Sequence, residues 1–399
     1  MPHHALGAPV KAVVYHGKQD VRVADVRKPR LKSSRDAIVK VTASAICGSD
    51  LHLYDHAVVG MRRGDIMGHE FVGTVEQVGK DVTHVALGDR VLVPFVIACG
   101  RCWYCDRGLV ASCDTSNPNG FLVKPFYGSS PAGMFGYTKF FGGFAGGQAE
   151  YVRVPFGDVG LIKIPDDITD DQALLVTDIV PTAYQAVLNC GIGPGDTIAI
   201  SGAGPVGQLA ARCAVALGAG KVIVIDSVPE RLEMAAALPG VVTINYKQAK
   251  NLHRVLAALT DGRGPDAAID AVGMASNGRR GASVATRVRQ LVLSQRDNPK
   301  ALRQLIKSVR KGGTVSVVGI FAGIDVTFPL GMVFAKGVTV VGGQTHVHTH
   351  VPALFELIRS GKLDPTAIIT QHLTLDDAPE AYRKFKDREP GFVKVVLRP

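Results

Sequence analysis

Four of the seven cysteines in this 399-residue chain lie close together in CGRCWYCDRGLVASC, at the spacing C-x2-C-x2-C-x7-C. They are Cys99, Cys102, Cys105 and Cys113. Four thiolates complete the tetrahedron that zinc prefers and leave no position open for a substrate. The N-terminal residues lack a secretory signal pattern, which favours metal over disulfides. We therefore predict a structural zinc in a lobe over about residues 95–115, with a redox or disulfide cluster as the alternative.

A second group of residues has the composition of a catalytic metal site. Such a zinc needs about three protein ligands and keeps one position open for a substrate. Cys47 in ICGSDLH offers a sulfur and His69 in GHEFVGTVEQVG offers an imidazole, each near the end of a short strand-like stretch. A third ligand has to come from elsewhere, and the candidates are Glu70, Asp178, Cys190 and Cys213.

Asp178, in the apolar stretch LVTDIVPTAYQAV, is the strongest of these candidates. A carboxylate is costly to bury unless it is paired or bound to a metal. Its place at a predicted helix start fits an N-cap equally well, so both roles stay open. Cys190 and Cys213 lie in apolar, helix-like stretches, where a free cysteine usually contributes to packing.

A dinucleotide-binding pattern begins at residue 196. The strand-like TIAIS is followed by glycines at the spacing G-x-G-x-x-G, then by a helix-like segment and by the strand-like KVIVID. The glycines are Gly202, Gly204 and Gly207. The first allows a tight turn, the second lets the backbone approach a pyrophosphate, and the third lets the helix pack on the strand. This order of elements predicts a phosphate site at the N-terminus of the helix.

The acid that ends the second of these strands indicates which cofactor is bound. Asp226 lies about 20 residues after the glycines. A carboxylate there accepts hydrogen bonds from the adenosine ribose and repels a 2′-phosphate, so we expect NAD and not NADP. We also assign Pro205, Val206 and Arg231, which lie in or near the loop, to cofactor binding.

Two kinds of scaffold have to position these residues. Six apolar, strand-like stretches alternate with helical ones between residues 197 and 341, which predicts an α/β domain with a doubly wound parallel sheet, the Rossmann fold. The N-terminal part is rich in strands and glycines, as in a distorted barrel. We expect a discontinuous catalytic domain in residues 1–181 and 344–399, and a cofactor domain in residues 182–343.

Several motifs together resemble the zinc-dependent medium-chain alcohol dehydrogenase superfamily over nearly the whole chain. GHEFVGTVEQVG (68–79) is similar to its zinc signature, GDRVLVPF precedes the four-cysteine lobe, SGAGPVG is similar to its cofactor loop, and GGQAEYVRVP (146–155) precedes the cofactor domain. The resemblance implies a GroES-like catalytic domain, two zinc ions per chain, NAD, an alcohol or aldehyde as substrate, and a dimer or tetramer.

The resemblance also implies a role for each site residue. Cys47, His69 and Asp178 become the catalytic zinc ligands. Thr182, four residues after the last of them, faces the nicotinamide. The proton relay and the acid beside the metal are Ser49, His52 and Glu70.

An aspartate at position 178, within D-I-x-P-T-x-Y, resembles the glutathione-independent formaldehyde dehydrogenase branch. About 40 residues separate AIDAVG from the strand at 313, and that branch carries an insertion in this region, associated with firm retention of NAD. We therefore expect oxidation of a hydrated, formaldehyde-like aldehyde or of an alcohol. The alternative within the superfamily is a polyol, threonine or secondary-alcohol dehydrogenase.

The formal charge of +10 raises the question of nucleic-acid binding. Residues 274–311 hold ten Lys or Arg and one acid, so nearly all of the excess is in this one segment. No aromatic platform or recognition motif accompanies it, and we favour a solvated insert over a lid or a subunit contact. A non-catalytic cofactor-binding or nucleic-acid-binding relative is the remote alternative. No apolar run reaches 18 residues, so we expect no membrane span and a cytoplasmic enzyme.

The histidine tract THVHTH (345–350) also offers metal ligands. If the tract were a strand, His346, His348 and His350 would share one face. Because both zinc sites have better ligands, we favour a surface or cleft-lining segment.

Overall fold

The computed structural model describes residues 9–58, 60–273, 299–321 and 328–399. The chain divides into two compact units. The first comprises Met1–Asp178, His346–Phe355 and Ile369–Pro399, and the second comprises Ile179–Thr345 and Glu356–Ile368. The sequence assigned all of 344–399 to the catalytic domain, whereas Glu356–Ile368 clusters with the cofactor-binding unit. The greater part of the basic segment, residues 274–298, lies outside the described residues.

The strands are β1 (Pro9–Gly17), β2 (Asp20–Arg27), β3 (Ala37–Ile46), β4 (Phe71–Val78), β5 (Arg90–Val93), β6 (Val96–Ile97), β7 (Gly133–Met134), β8 (Tyr151–Val154), β9 (Ile162–Lys163), β10 (Thr197–Ser201), β11 (Lys221–Asp226), β12 (Val241–Asn245), β13 (Ala267–Asp270), β14 (Thr314–Val317), β15 (Thr339–Gly342), β16 (Gln371–Thr374) and β17 (Val395–Arg398).

The helices are α1 (Gly48–Tyr54), α2 (Lys124–Tyr127), α3 (Gly157–Gly160), α4 (Asp170–Val176), α5 (Ile179–Cys190), α6 (Pro205–Ala216), α7 (Pro229–Ala236), α8 (Leu252–Ala258), α9 (Lys300–Ser308), α10 (Leu330–Lys336), α11 (Val347–Arg359) and α12 (Ala378–Asp387). Taken singly, none of these helices is long and apolar enough to cross a membrane, although the interrupted pair of α4 and α5 passes on length and composition.

The second unit is built on a six-stranded sheet in the order β12-β11-β10-β13-β14-β15. All five neighbouring pairs are parallel. The central strands β10 and β13 are buried along most of their length, as expected for a parallel sheet that helices cover on both faces. The strand order reverses direction at β10, and this confirms the predicted doubly wound α/β fold.

The first unit contains a seven-stranded sheet in the order β16-β17-β3-β4-β5-β9, with β8 also paired to β3. Its central strand β3 is almost wholly buried and pairs with β4, β8 and β17. The apolar core on this sheet includes Val39, Phe71, Val91 and Phe135. The antiparallel pairing of β3 with β4 brings the end of β3, followed by Cys47, close to the start of β4, preceded by His69 and Glu70.

The histidine tract is not a strand, so its three histidines do not share a strand face. His348 and His350 lie in the first turn of α11, and His346 precedes it. The tract is followed by apolar residues at helical spacing, among them Val351, Leu354 and Ile358, and this longer pattern sets the local structure.

Candidate active site

The sulfur of Cys47 is presented at the start of α1. Cys47 occupies the N-cap position in extended backbone geometry, and its N–H donates to the Oδ2 of Asp50 over 2.9 Å. This side-chain cap satisfies one backbone donor of the first turn and fixes the angle between β3 and α1. The Cys47 side chain is buried. Burial is the main cause that raises the pKa of its thiol, and the negative charge of Glu70 raises it further.

His69 is held by contacts at both ring nitrogens. Its Nδ1 lies 3.1 Å from the Oδ1 of Asp50, and its Nε2 lies 3.1 Å from the Oγ of Ser49. Burial opposes a charged ring, but the nearby carboxylates of Asp50 and Asp178 raise the pKa of His69 well above its usual value. A carboxylate on one imidazole nitrogen orients the other toward a metal, which is the arrangement found around histidine ligands.

Asp178 lies between α4 and α5, and its carboxylate reaches the other two predicted ligands. Its Oδ2 is 3.2 Å from the Nε2 of His69 and 3.7 Å from the Sγ of Cys47. A tetrahedral zinc with its usual bond lengths separates its ligand atoms by ~3.3–3.8 Å. The observed separations therefore fit a zinc ion held by these three residues. The preceding helix α4 begins with a reciprocal cap between Thr169 and Gln172, which fixes where the chain reaches Asp178.

Glu70 adds a fourth donor and brings its own counter-charge. The candidate donor atoms of Cys47, His69, Glu70 and Asp178 all lie within 4.8 Å of one another. Glu70 forms an ion pair with Lys394, and both side chains are fully buried. The ammonium of Lys394 also donates to the carbonyl of Ile46 over 3.3 Å. Burial raises the pKa of Glu70 despite the opposing effect of the lysine.

The charge balance of this cluster favours a cation. Cys47, Asp50, Glu70 and Asp178 can each carry a negative charge, and they are buried beside one lysine and one histidine. Burying several anionic donors together is costly unless a positive charge compensates them. A divalent metal supplies that charge, and a sulfur, nitrogen and oxygen donor set suits zinc.

The four cysteines of the lobe form a separate donor cluster. The sulfurs of Cys99, Cys102, Cys105 and Cys113 lie within 4.8 Å of one another, and none is in a disulfide. The Sγ atoms of Cys102 and Cys113 are 3.9 Å apart, close to the ~3.8 Å edge of a zinc–tetrathiolate tetrahedron. Burial would raise the pKa of Cys99, but hydrogen bonds led by the backbone N–H of Arg101 lower it to about 7. A thiolate at neutral pH is the form that binds zinc.

Comparison with known proteins identifies the family to which this chain belongs. Residues 33–166 match the alcohol dehydrogenase GroES-like domain, and residues 205–294 match the zinc-binding dehydrogenase family. A zinc-type alcohol dehydrogenase-like protein of Schizosaccharomyces pombe is 39% identical over 390 residues, 98% of this chain and 91% of that protein. This chain belongs to the zinc-dependent medium-chain alcohol dehydrogenase superfamily.

Two further similarities narrow its position within the superfamily. A glutathione-independent formaldehyde dehydrogenase of Bacillus subtilis is 33% identical over 411 residues, 94% of each chain. The solved structure of alcohol dehydrogenase TADH from Thermus sp. ATN1 has a TM-score of 0.83 and 37% identity, covering 97% of this chain and 99% of that one. The chain therefore lies near the formaldehyde dehydrogenase branch of zinc-dependent oxidoreductases.

The glycine loop of this dehydrogenase follows β10 and leads into α6. Gly202 has a φ of +97°, and a Cβ there would lie 2.9 Å from the side chain of Val272. A Cβ at Gly207 would lie 1.7 Å from the carbonyl of Gly202, so only glycine allows this close helix–strand packing. Gly204 is the N-cap of α6, and a Cβ there would have no neighbour closer than 3.9 Å. That opening beside free helix N–H groups fits a pyrophosphate.

The other predicted cofactor residues surround the same loop. The Asp226 carboxylate ends β11 and accepts hydrogen bonds from the backbone N–H groups of Ala203, Ser227 and Val228. Pro205 and Val206 form the first turn of α6. Arg231, in α7, places its guanidinium 3.9 Å from where a Gly204 Cβ would be. The hydroxyl of Thr182 accepts a hydrogen bond from Thr345 over 2.9 Å.

The remaining predicted residues are placed as follows. His52 lies in α1, three residues after Ser49. Cys190 and Cys213 are buried in α5 and α6 and belong to neither donor cluster.

The sequence analysis did not identify three residues that lie near the cluster of Cys47, His69, Glu70 and Asp178. Asp50 could have been found, because an acid three residues after a cap position is a helix-start pattern. Lys394 has no such signal, since its pairing with Glu70 joins residues 324 positions apart. Tyr137 is also unmarked in the sequence, yet its ring meets the His69 ring edge-on, with centroids 6.3 Å apart. Burial raises the pKa of the Tyr137 phenol.

Proposed function

We propose that this protein oxidises a small hydrated aldehyde of the formaldehyde kind to an acid with NAD, and small alcohols to carbonyl compounds. The observation that carries the proposal is the Asp178 carboxylate, 3.2 Å from the Nε2 of His69 and 3.7 Å from the Sγ of Cys47. By resemblance, an aspartate at this position is a feature of the formaldehyde dehydrogenase branch, and the Bacillus subtilis relative carries that name.

The zinc of this reaction would be held by Cys47, His69 and Asp178, with Glu70 within reach of the same ion. When bound, the metal would act as a Lewis acid that lowers the pKa of a substrate hydroxyl, and NAD would accept the hydride. The overall change converts a hydrated aldehyde and NAD⁺ into a carboxylic acid, NADH and one proton.

Ser49 is proposed to take the proton that the substrate hydroxyl releases. Its Oγ lies 3.1 Å from the Nε2 of His69, so the hydroxyl is beside the donor atoms that would hold the metal. His52 follows in the same helix and is partly exposed, and it would pass the proton toward solvent. A short relay of this kind keeps the proton acceptor within hydrogen-bond reach of the reacting group.

NAD is the proposed cofactor because of the negative charge at Asp226. Its carboxylate lies beside the N–H of Ala203 in the glycine loop and would repel the 2′-phosphate of NADP. A carboxylate has about four acceptor sites, so three backbone partners leave capacity for a ribose hydroxyl.

We also propose a second, structural zinc at Cys99, Cys102, Cys105 and Cys113.

A homo-oligomer is proposed from the edge of the parallel sheet. β15 is the last strand of its sheet, so one side of its backbone has no strand partner in the described chain. Nearby, Phe334 is 88% exposed and Leu330 is 68% exposed, both in α10. An open strand edge beside exposed apolar side chains suits pairing with a second copy.

Since the cysteines are free thiols, we also propose a cytoplasmic location.

The test is to measure zinc content and NAD(P) reduction with purified protein. We expect two zinc ions per chain, acid formation from formaldehyde without glutathione, and a clear preference for NAD. Activity with polyols, threonine or secondary alcohols, without acid formation from aldehydes, would support the alternative dehydrogenases. No reduction of either cofactor with any of these substrates would overturn the enzymatic proposal.

A further inference from the structure

Tyr137 is fixed beside the candidate zinc ligands by a close backbone contact. It follows Gly136, whose φ is +55° and at which a Cβ would lie 2.3 Å from the carbonyl of Gly68. Only glycine allows this approach, which brings the segment against the residue before His69. The N–H of Gly136 also donates to the carbonyl of Phe144 over 3.0 Å, and this bond closes the turn.

The ring of Tyr137 forms part of an aromatic wall around His69. It meets the His69 ring at 86°, while Phe95 meets the same ring at 70° with centroids 6.1 Å apart. On its other side Tyr137 packs edge-on against Phe141, 5.2 Å between centroids. Only 5% of the Tyr137 surface is exposed.

Of the four buried tyrosines in the described chain, two use their hydroxyls in hydrogen bonds to other side chains. Tyr15 bonds to the Nδ1 of His56 over 2.9 Å, and Tyr382 donates to the Oε1 of Gln148 over 2.9 Å. The hydroxyl of Tyr137 has no hydrogen-bond partner in the part of the chain that the structure describes. Buried phenols normally find a partner. A partner for this one would come from a molecule bound beside His69.

We propose that Tyr137 determines substrate specificity by binding the second oxygen of a substrate whose first oxygen lies at the Cys47, His69 and Asp178 cluster. The inference rests on the proposed function and narrows its substrate class to hydrated aldehydes, which carry two hydroxyls on one carbon. A simple alcohol has only one oxygen and leaves the phenol without that contact. Of the two aromatic rings that pack against His69 in the described chain, only that of Tyr137 carries a hydroxyl, which can bind the second oxygen.

The experiment compares the parent protein with Tyr137→Phe on formaldehyde, which is hydrated in water, and on ethanol. We expect kcat/KM for formaldehyde to fall about tenfold, since one hydrogen bond is lost, while kcat/KM for ethanol changes less than about twofold. Tyr246→Phe removes a hydroxyl from a side chain that is 47% exposed and serves as the matched control. It should leave both values unchanged.

Two further measurements separate this role from a structural one. Tyr137→Phe should keep the zinc content and the Tm of the parent, because its hydroxyl bonds to no described residue; a lower Tm would show a structural bond and overturn the inference. An equal loss of activity on both substrates, or an unchanged formaldehyde-to-ethanol ratio, would also overturn it. A parent that oxidises neither substrate would instead refute the proposed function, and this is seen before any variant is made.

Discussion

The two donor clusters of the first unit differ in how their ligands are distributed along the chain. Cys99, Cys102, Cys105 and Cys113 come from one short segment, and all four are thiols. The second cluster takes Cys47, His69 and Asp178 from three separate segments and mixes sulfur, nitrogen and oxygen. Four protein ligands would complete the coordination of a zinc ion at the first cluster, whereas three would leave one position open for a substrate at the second. We therefore propose that the local cluster stabilises the fold and that the dispersed cluster performs the chemistry.

The surroundings of the clusters differ in the same sense. The mixed cluster is supported by buried charges, because Asp50 contacts His69 and Lys394 pairs with Glu70. The four-cysteine lobe instead rests on the start of α11: the Nδ1 of His346 accepts from the N–H of Ala111 over 3.2 Å, and Thr349 donates to the carbonyl of Gly108 over 3.0 Å. Four predictions test this division, in order of decreasing expected effect.

Cys113→Ser is expected to have the largest effect on stability. Zinc binding at closed sites is folding free energy, ~10–16 kcal/mol in small zinc domains, and we expect a loss above ~5 kcal/mol here. Calorimetry and zinc analysis would show a lower Tm and one zinc per chain. Cys213→Ala, at a buried cysteine outside both clusters, should keep two zinc ions. A Cys113→Ser protein as stable as the parent would contradict the structural role.

Asp178→Ala is expected to remove activity with little effect on the fold. The loss of one ligand should lower kcat/KM about 10³-fold, equivalent to ~4 kcal/mol in the barrier. The free energy of unfolding should change by less than ~1 kcal/mol, because Asp178 belongs to the dispersed cluster. Denaturant unfolding and steady-state kinetics would be measured together. Full activity in this variant would refute the ligand assignment.

Lys394→Met should destabilise the protein through the charge that it leaves behind. Both side chains of the Lys394–Glu70 pair are fully buried, and removing one partner of such a pair costs roughly 3 kcal/mol or more. The control is Lys11→Met, whose pair with Asp376 is exposed at 51% and 62%, so its loss should have little effect on stability. Equal effects of the two substitutions in denaturant unfolding would contradict the role of the buried pair.

His348→Leu should reduce the sensitivity of the protein to acid. Burial lowers the pKa of His348 from 6.5 to about 4, against a small opposing effect of the Val159 backbone. Because the unfolded chain takes up the proton first, the parent loses stability as the pH falls from 6.5 toward 4, by ~3 kcal/mol. The variant should lack this part of the loss in unfolding curves recorded at several pH values. His84→Leu, at an exposed histidine, should behave like the parent.

Patterns within short stretches of the sequence were enough to predict several elements of the fold and the four-cysteine cluster. The strand-like stretches TIAIS and KVIVID form β10 and β11 over the predicted residues, because a parallel strand buried on both faces is a continuous apolar run. The C-x2-C-x2-C-x7-C spacing indicated the sulfur cluster because one loop holds all its ligands. The helical start of the histidine tract was not predicted, because the apolar pattern that makes it helical begins only after it.

The sequence by itself determined the dinucleotide fold, the four-cysteine cluster and the candidacy of Cys47 and His69. It did not decide whether Asp178 is a helix N-cap or a metal ligand. Only the tertiary structure shows that its Oδ2 lies 3.2 Å from the Nε2 of His69. Asp50, Lys394 and Tyr137 likewise gained their places through packing. The physical reason is distance along the chain: spacing specifies contacts within one loop or strand, whereas contacts between segments hundreds of residues apart exist only once the sheets have formed.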